Sequence, residues 1–338
     1  MIRKQTGKLS VPAVILLVLL PLAAGLLCLG IGRVRLSPAE VFRVLLDAAL
    51  NRRATSIADS TVINTRLPRV LLSLLCGAGL SVSGCAFQSL FANPLATPDT
   101  VGVASGASFG AALGILLGFG VTGIQGMSFL MGLLAVGLTW TVGRSRDRSL
   151  NAVVLAGIMI GSLFSALVSL VKFTADSETQ LPAITYFLMG SFQGASYKNL
   201  AIGCIPVLAG MAVLFLIRWR MNLLPLSEDE VRSFGIRMKA LRVVTVTAAT
   251  VVTSSCVGMC GQVGWIGLLV PHMCRMAFKN NHLSLVPASI SIGAAFMAVV
   301  DTAARSVSAQ EIPVSVLTAV IGAPFFILLM RRTGGWKL

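Results

Sequence analysis

The chain has 338 residues, of which 56% are hydrophobic and 12% charged, and its formal net charge is +15; the mean hydropathy is +0.88. Soluble domains carry about a quarter of their residues as charges, so this composition excludes an ordinary cytosolic enzyme and points to a polytopic membrane protein. The seven cysteines are odd in number and all lie in apolar stretches, which argues against a disulfide framework.

In chain order, hydropathy and turn signals predict ten spans, at approximately 11–31, 67–91, 100–118, 124–143, 150–173, 199–217, 241–260, 263–278, 283–301 and 313–330. Most approach the ~20 residues that cross a bilayer core. The first follows Arg3, Lys4 and Lys8 and ends without a small-x-small cleavage site, so it reads as a retained helix and not a signal peptide. An even number of spans puts both termini on one side. The basic ends, with Arg331, Arg332 and Lys337 at the far one, assign that side to the cytoplasm.

Two helices outside the spans are legible from their caps. Ser37-Pro38-Ala39-Glu40 is a capping box with Pro at the first helical position and predicts an outer-surface helix with Val41, Val44, Leu45 and Ala48 on its apolar side. Ser227-Glu228-Asp229-Glu230 is a second capping box, ahead of Val231 and Phe234, with Gly235 suited to end the helix left-handed. It predicts a cytoplasmic helix of about two turns. The first outer segment is basic: Arg33, Arg35, Arg43, Arg52, Arg53, Arg66 and Arg69 outnumber Glu40, Asp47 and Asp59. An acidic partner is expected to dock there.

Inside the spans, chemistry-bearing residues are few. Gln88, Asn93 and Asn151 must face protein or a water-filled path, and Gln88 serves equally well to bridge helices. Gly77, Gly79, Gly84, Gly102, Gly106, Gly110, Gly258, Gly261, Gly264 and Gly267, together with Cys256 and Cys260 on one helix face, suit close helix contacts. His272, in Pro-His-x-x-Arg, is given a structural or coupling role, and His282 a place in a loop. No cluster of His, Cys, Asp and Glu has metal-ligand spacing. No G-x-x-x-x-G-K-[ST] phosphate loop occurs, so ATP-driven work needs another subunit.

Two stretches carry a family resemblance: RLPRVLLSLLCGAGLSVSGCAFQSLFANPLATPDTVGVASG from Arg66 to Gly106, and GMCGQVGWIGLLVPHMCR from Gly258 to Arg275. Together they resemble the permease subunits of the FecCD family, ABC importers for iron-siderophore complexes, haem and cobalamin. The resemblance implies an all-α, cobalamin-permease-like fold of about ten transmembrane helices, with an inverted repeat that permits alternating access. A single transmembrane domain would cover 1–338, with a coupling-helix loop at 221–240. It also implies a permease homodimer, two ATP-binding-cassette ATPase subunits that hold the ATP and Mg, an extracytoplasmic substrate-binding protein and a metal-chelate cargo. This chain would carry no cofactor of its own, bind no nucleic acid, and sit in the lipid bilayer of a prokaryotic cytoplasmic (inner) membrane.

By the same resemblance, Asn93, Leu95, Leu150 and Asn151 form the gate; Gln88, from its polarity within a span, lines the path or bridges helices. Leu226, Glu230, Val231, Phe234 and Gly235 contact the ATPase; Arg66, Arg69 and Arg305 receive the binding protein. Leu150 departs from the small hydroxyl residue familiar at this point in the cobalamin permease. A secondary transporter would need buried carboxylates at the midplane, whereas Asp301 and Glu311 fall near the outer ends; a membrane enzyme would need a convergent nucleophile, base or metal set. Ferric siderophore is the first expected cargo on family frequency, ahead of haem, cobalamin or molybdate.

Overall fold

The computed structural model describes residues 7, 9–32, 36–50, 56–143, 150–308 and 310–332. Its regular elements are α1 Val11–Gly30, α2 Pro38–Ala49, α3 Ile57–Thr61, a π-helical turn Val62–Arg66, α4 Leu67–Leu90, a 3-10 turn Pro98–Val101, α5 Val103–Leu116, α6 Val121–Val142, α7 Leu150–Thr174, α8 Gln180–Leu188, α9 Tyr197–Leu216, α10 Arg218–Met221, α11 Glu228–Ser233, α12 Met238–Cys260, α13 Ile266–Phe278, α14 His282–Ser306 and α15 Val314–Arg332. Ten of these helices stand at the ten predicted spans. Seven are long and apolar enough to cross a bilayer by themselves, whereas the apolar stretches of α5, α13 and α15 are shorter. The chain runs back and forth so that α2 and α3 lie at one end of the bundle and α10 and α11 at the other.

Helices α4, α12 and α14 are buried along most of their length, while α6, α7 and α9 turn most of their surface outward. Small residues set how closely the central helices approach. A Cβ on Gly77 would stand 2.3 Å from the Gly293 carbonyl oxygen of α14, and one on Gly84 would stand 1.9 Å from that of Gly267 in α13. Neither position has room for a side chain.

Prolines inside the spans free carbonyls, because each lacks the N–H that would bond four residues back. The structure answers two of them from a neighbouring helix. The Leu17 carbonyl freed by Pro21 accepts from the Ser291 hydroxyl, and the Gly267 carbonyl freed by Pro271 accepts from Gln88 Nε2 at 3.1 Å. All seven cysteines are free thiols, and Cys256 and Cys260 are buried in the main core.

Three local features depart from the sequence expectation or add to it. Helix α4 is preceded by α3 and a π-helical turn, so one continuous rod begins at Ile57, and Tyr197 Oη donates to the Ile63 carbonyl at 2.6 Å within that turn. Helix α8 was not signalled. It starts after an Asp176 turn, in which the carboxylate accepts from the Thr179 hydroxyl at 2.7 Å and the Thr179 N–H at 2.8 Å, bonds that hold the Asp176 carboxyl below its ordinary range. Its far end tucks into the bundle, where the Ser191 N–H donates to the Cys260 carbonyl at 2.9 Å and Gly190 accepts from the Val314 N–H at 3.0 Å. His282 is a helical residue and not part of a loop: it opens α14, is buried, and its N–H donates to Asn222 Oδ1 at 2.9 Å.

Candidate functional site

At the α11 end, the Ser227 hydroxyl accepts from the Glu230 N–H, while the Glu230 carboxylate accepts from the Ser227 N–H at 2.9 Å and the hydroxyl at 2.8 Å. Those bonds, the backbone one first, hold the Glu230 carboxyl below its ordinary 4.5. The helix ends at Phe234, and Gly235 follows at φ +71. The two apolar side chains part company. Phe234 is 59% exposed and Leu226 36%, but Val231 is fully buried in the chain's own core. Val231 therefore corrects the expectation of a contact shared with Phe234: it pins α11 to the bundle. An ion pair between Glu228 and Arg242 at 3.1 Å ties the same helix to α12.

The loop after α4 lies at this end too, since the Ser89 hydroxyl donates to the Met221 carbonyl of α10 at 2.8 Å. Asn93 closes a turn by accepting the Leu95 N–H on its Oδ1 at 2.9 Å, and both residues are exposed. The chain then folds back against α7: Gly102, at φ +75, sits beside Gly161, and a Cβ on Gly157 would stand 2.1 Å from the Thr100 carbonyl oxygen. Leu150, half-buried, and Asn151, exposed, begin α7. Asn93, Leu95, Leu150 and Asn151 thus share one end of the bundle; Ser149 lies outside the described residues. A cavity of about 40 Å³ between Thr97, Asp99, Gln262 and Trp265 marks where this loop meets the break between α12 and α13, with space for about one water molecule.

Gln88 does not share that exposure. It is 3% exposed, and besides donating to Gly267 it accepts from Arg275 of α13. Of its two sequence readings, the geometry places it as a bridge. His272 packs edge-on against Phe325 and Phe326 of α15, with ring centroids 6.3 and 5.5 Å away.

At the opposite end the structure brings Arg66, Arg69 and Arg305 together, but as internal residues and not as exposed forks. Arg69 binds Asp301 through Nε and Nη2, at 2.8–3.1 Å, and Glu311 through Nη1 at 2.8 Å. Arg66 donates to the Leu29 carbonyl at 2.8 Å, and Arg305 Nη2 donates to that of Cys28. Those carbonyls belong to the last turn of α1, which has no intrahelical donors for them, and cations suit the negative end of the helix dipole. Arg66 and Arg69 are buried, and Arg305 is partly exposed. Sequence reading missed this cluster because its carboxylates lie far along the chain; the available signal was that cations in apolar surroundings require partners. Of the other outer basic residues, Arg43 is largely exposed and stands 3.8 Å from Asp59, while Arg33, Arg35, Arg52 and Arg53 lie outside the described residues.

The profile of the FecCD transport family matches residues 17–332. The chain belongs to the FecCD transport family. The molybdate import system permease protein MolB of Haemophilus influenzae is 38% identical, with 94% of each chain covered. A permease protein of Helicobacter pylori assigned to iron chelatin transport is 36% identical over 85% of this chain and 87% of its own. Among solved structures, an inward-facing ABC transporter described as being of metal-chelate type superposes with a TM-score of 0.85 at 37% identity, covering 94% of this chain and 98% of that one. As a FecCD permease the chain is a multi-pass protein of the cytoplasmic membrane and a subunit of an ABC importer. ATP hydrolysis in such an importer resides on separate subunits.

Proposed function

We propose that this FecCD permease pairs with a second copy of itself, takes two ATPase subunits at the α11 end and a substrate-binding protein at the α2 end, and imports a metal chelate by alternating access. The observation that carries this reading is the Ser89–Met221 hydrogen bond. It joins the end of α4, four residues before Asn93, to α10, which leads into α11. Force applied at Phe234 reaches the Asn93–Leu95 turn through that connection, and Asn93, Leu95, Leu150 and Asn151 act as the gate. The basic residues near both chain ends support a cytoplasmic position for the α11 side. At the other end, the basic residues of the outer segment 33–69 outnumber its acidic ones, and that excess attracts an acidic binding protein.

Ferric siderophore is the first cargo we assign, in line with the iron chelatin relative. Molybdate is the second reading, favoured by the 38% identity to MolB. Transport assays on the permease–ATPase complex in vesicles, with its binding protein and either labelled ferric siderophore or labelled molybdate, separate the two. ATP-dependent uptake of the siderophore supports the first; uptake of molybdate alone replaces it. Failure to take up either, with ATPase and binding protein bound, overturns both cargo readings.

A further inference from the structure

At the α11 end, α1, the α9–α10 corner and α14 enclose a groove of about 520 Å³, inside the roughly 300–1,000 Å³ range of small-ligand pockets. Among the described residues lining it only Arg218 and Ser291 are polar, and the Ser291 hydroxyl is engaged by the Leu17 carbonyl. From Leu283 to Ala294 the α14 wall rises about 16 Å at 1.5 Å per residue, about half of a ~30 Å hydrocarbon core. The groove is therefore one leaflet deep.

Among the described lining residues its one cation, Arg218, stands at the mouth. Arg218 opens α10, donates Nη1 to the Phe215 carbonyl at 2.6 Å and lies 3.9 Å over the Phe215 ring, and no carboxylate among the described residues pairs with it. Trp219 and Arg220, both exposed, follow directly, the residue types that mark the headgroup level. We propose that this groove holds one acyl chain of an anionic phospholipid with its phosphate on Arg218. An apolar depth whose one polar side chain among the described residues, Ser291, is already bonded within the protein fits the chain, and an uncompensated guanidinium at the interface favours an anionic headgroup over a zwitterionic one.

The test uses the full-length permease with its ATPase partner in nanodiscs of equal phosphatidylglycerol and phosphatidylcholine, extracted into detergent and read by native mass spectrometry. The wild type should retain phosphatidylglycerol at least about fivefold over phosphatidylcholine. Arg218→Gln should bring that ratio near one while lipid is still retained. Ala294→Phe, which fills the groove, should remove the lipid; Val18→Trp, at an exposed position on the groove wall, does the same if Ala294→Phe fails to assemble. Equal retention of both lipids by the wild type, no retained lipid, or a ratio unchanged in Arg218→Gln overturns the proposal. So does a Val14→Cys crosslink that captures a protein segment in the groove in place of lipid.

Discussion

Gln88 of α4 donates its amide to the Gly267 carbonyl of α13 at 3.1 Å, and that carbonyl is the one Pro271 leaves without an intrahelical donor. The same side chain accepts from Arg275, so one glutamine answers both the proline and the arginine of the Pro-His-x-x-Arg stretch. Gln88→Leu should leave a buried carbonyl and a guanidinium without this partner, at a cost of about 2–5 kcal/mol. The melting temperature in detergent should fall by several degrees. Gln88→Glu, which keeps an acceptor for Arg275, should lose less; equal losses would show that the Arg275 contact contributes nothing.

The Arg69–Asp301 pair gives a second expectation. Arg69→Met strands a buried carboxylate and should destabilise by about 3–5 kcal/mol, whereas the double replacement Arg69→Met with Asp301→Leu should recover most of that loss. Thermal retention of the monodisperse permease measures both. Binding-protein affinity of the stable double variant then isolates any docking contribution: unchanged affinity confines Arg69 to an internal role.

Position within α11 decides the third. Phe234→Asp should leave the permease folded and weaken ATPase assembly, because a charge would be desolvated in an apolar contact. Val231→Asp should lower the yield of folded permease itself, since Val231 is enclosed by its own chain. Size-exclusion profiles and ATPase pull-down separate the two, and indistinguishable profiles would remove the distinction.

The Glu230 cap sets a pH dependence of known sign. Its carboxyl is held below 4.5 in the folded loop, so the stabilisation is fully present above 4.5 and is lost as pH falls through the depressed value. Hydrogen exchange at 228–233 should be flat from pH 6 to 8 after correction for intrinsic rates, and protection should drop only in acid below 4.5. Ser227→Ala should shrink that acid step without abolishing it, because the hydroxyl bond is lost while the backbone N–H, the larger of the two causes, still holds the carboxylate.

Much of this architecture could be read from the sequence, for local reasons. The ten apolar helices and both capping boxes depend on stretches of a few to about twenty residues, whose hydropathy and cap spacing are self-contained. What escaped reading depends on distant partners. Arg69 and Asp301 are 232 positions apart, and nothing near either residue names the other. Val231 and Phe234, three apart, share a helix face in sequence, yet the helix is so short and ends so close to Phe234 that one side chain turns into the bundle and the other away. Gln88 has two possible roles in the sequence because the freed Gly267 carbonyl, its partner, comes beside it only once α4 and α13 pack together. Helix α8 escaped because its nine residues are too few for a span and it has no capping box.

The shortness of α5 and α13 bears on how the chain enters its membrane. At 14 and 13 residues they are about 20 Å long, short of the ~30 Å hydrocarbon core, so neither is a stable insertion unit alone. Each is followed after a short turn by a long apolar helix, α6 or α14, and the insertion machinery must accept the two as a hairpin. A hairpin changes the side of its flanks by an even count: if one fails to enter, both chain ends stay where they belong. A reporter fused to either terminus would therefore score a misassembled permease as correctly oriented, and only labels placed in the 117–120 and 279–281 turns would register the fault.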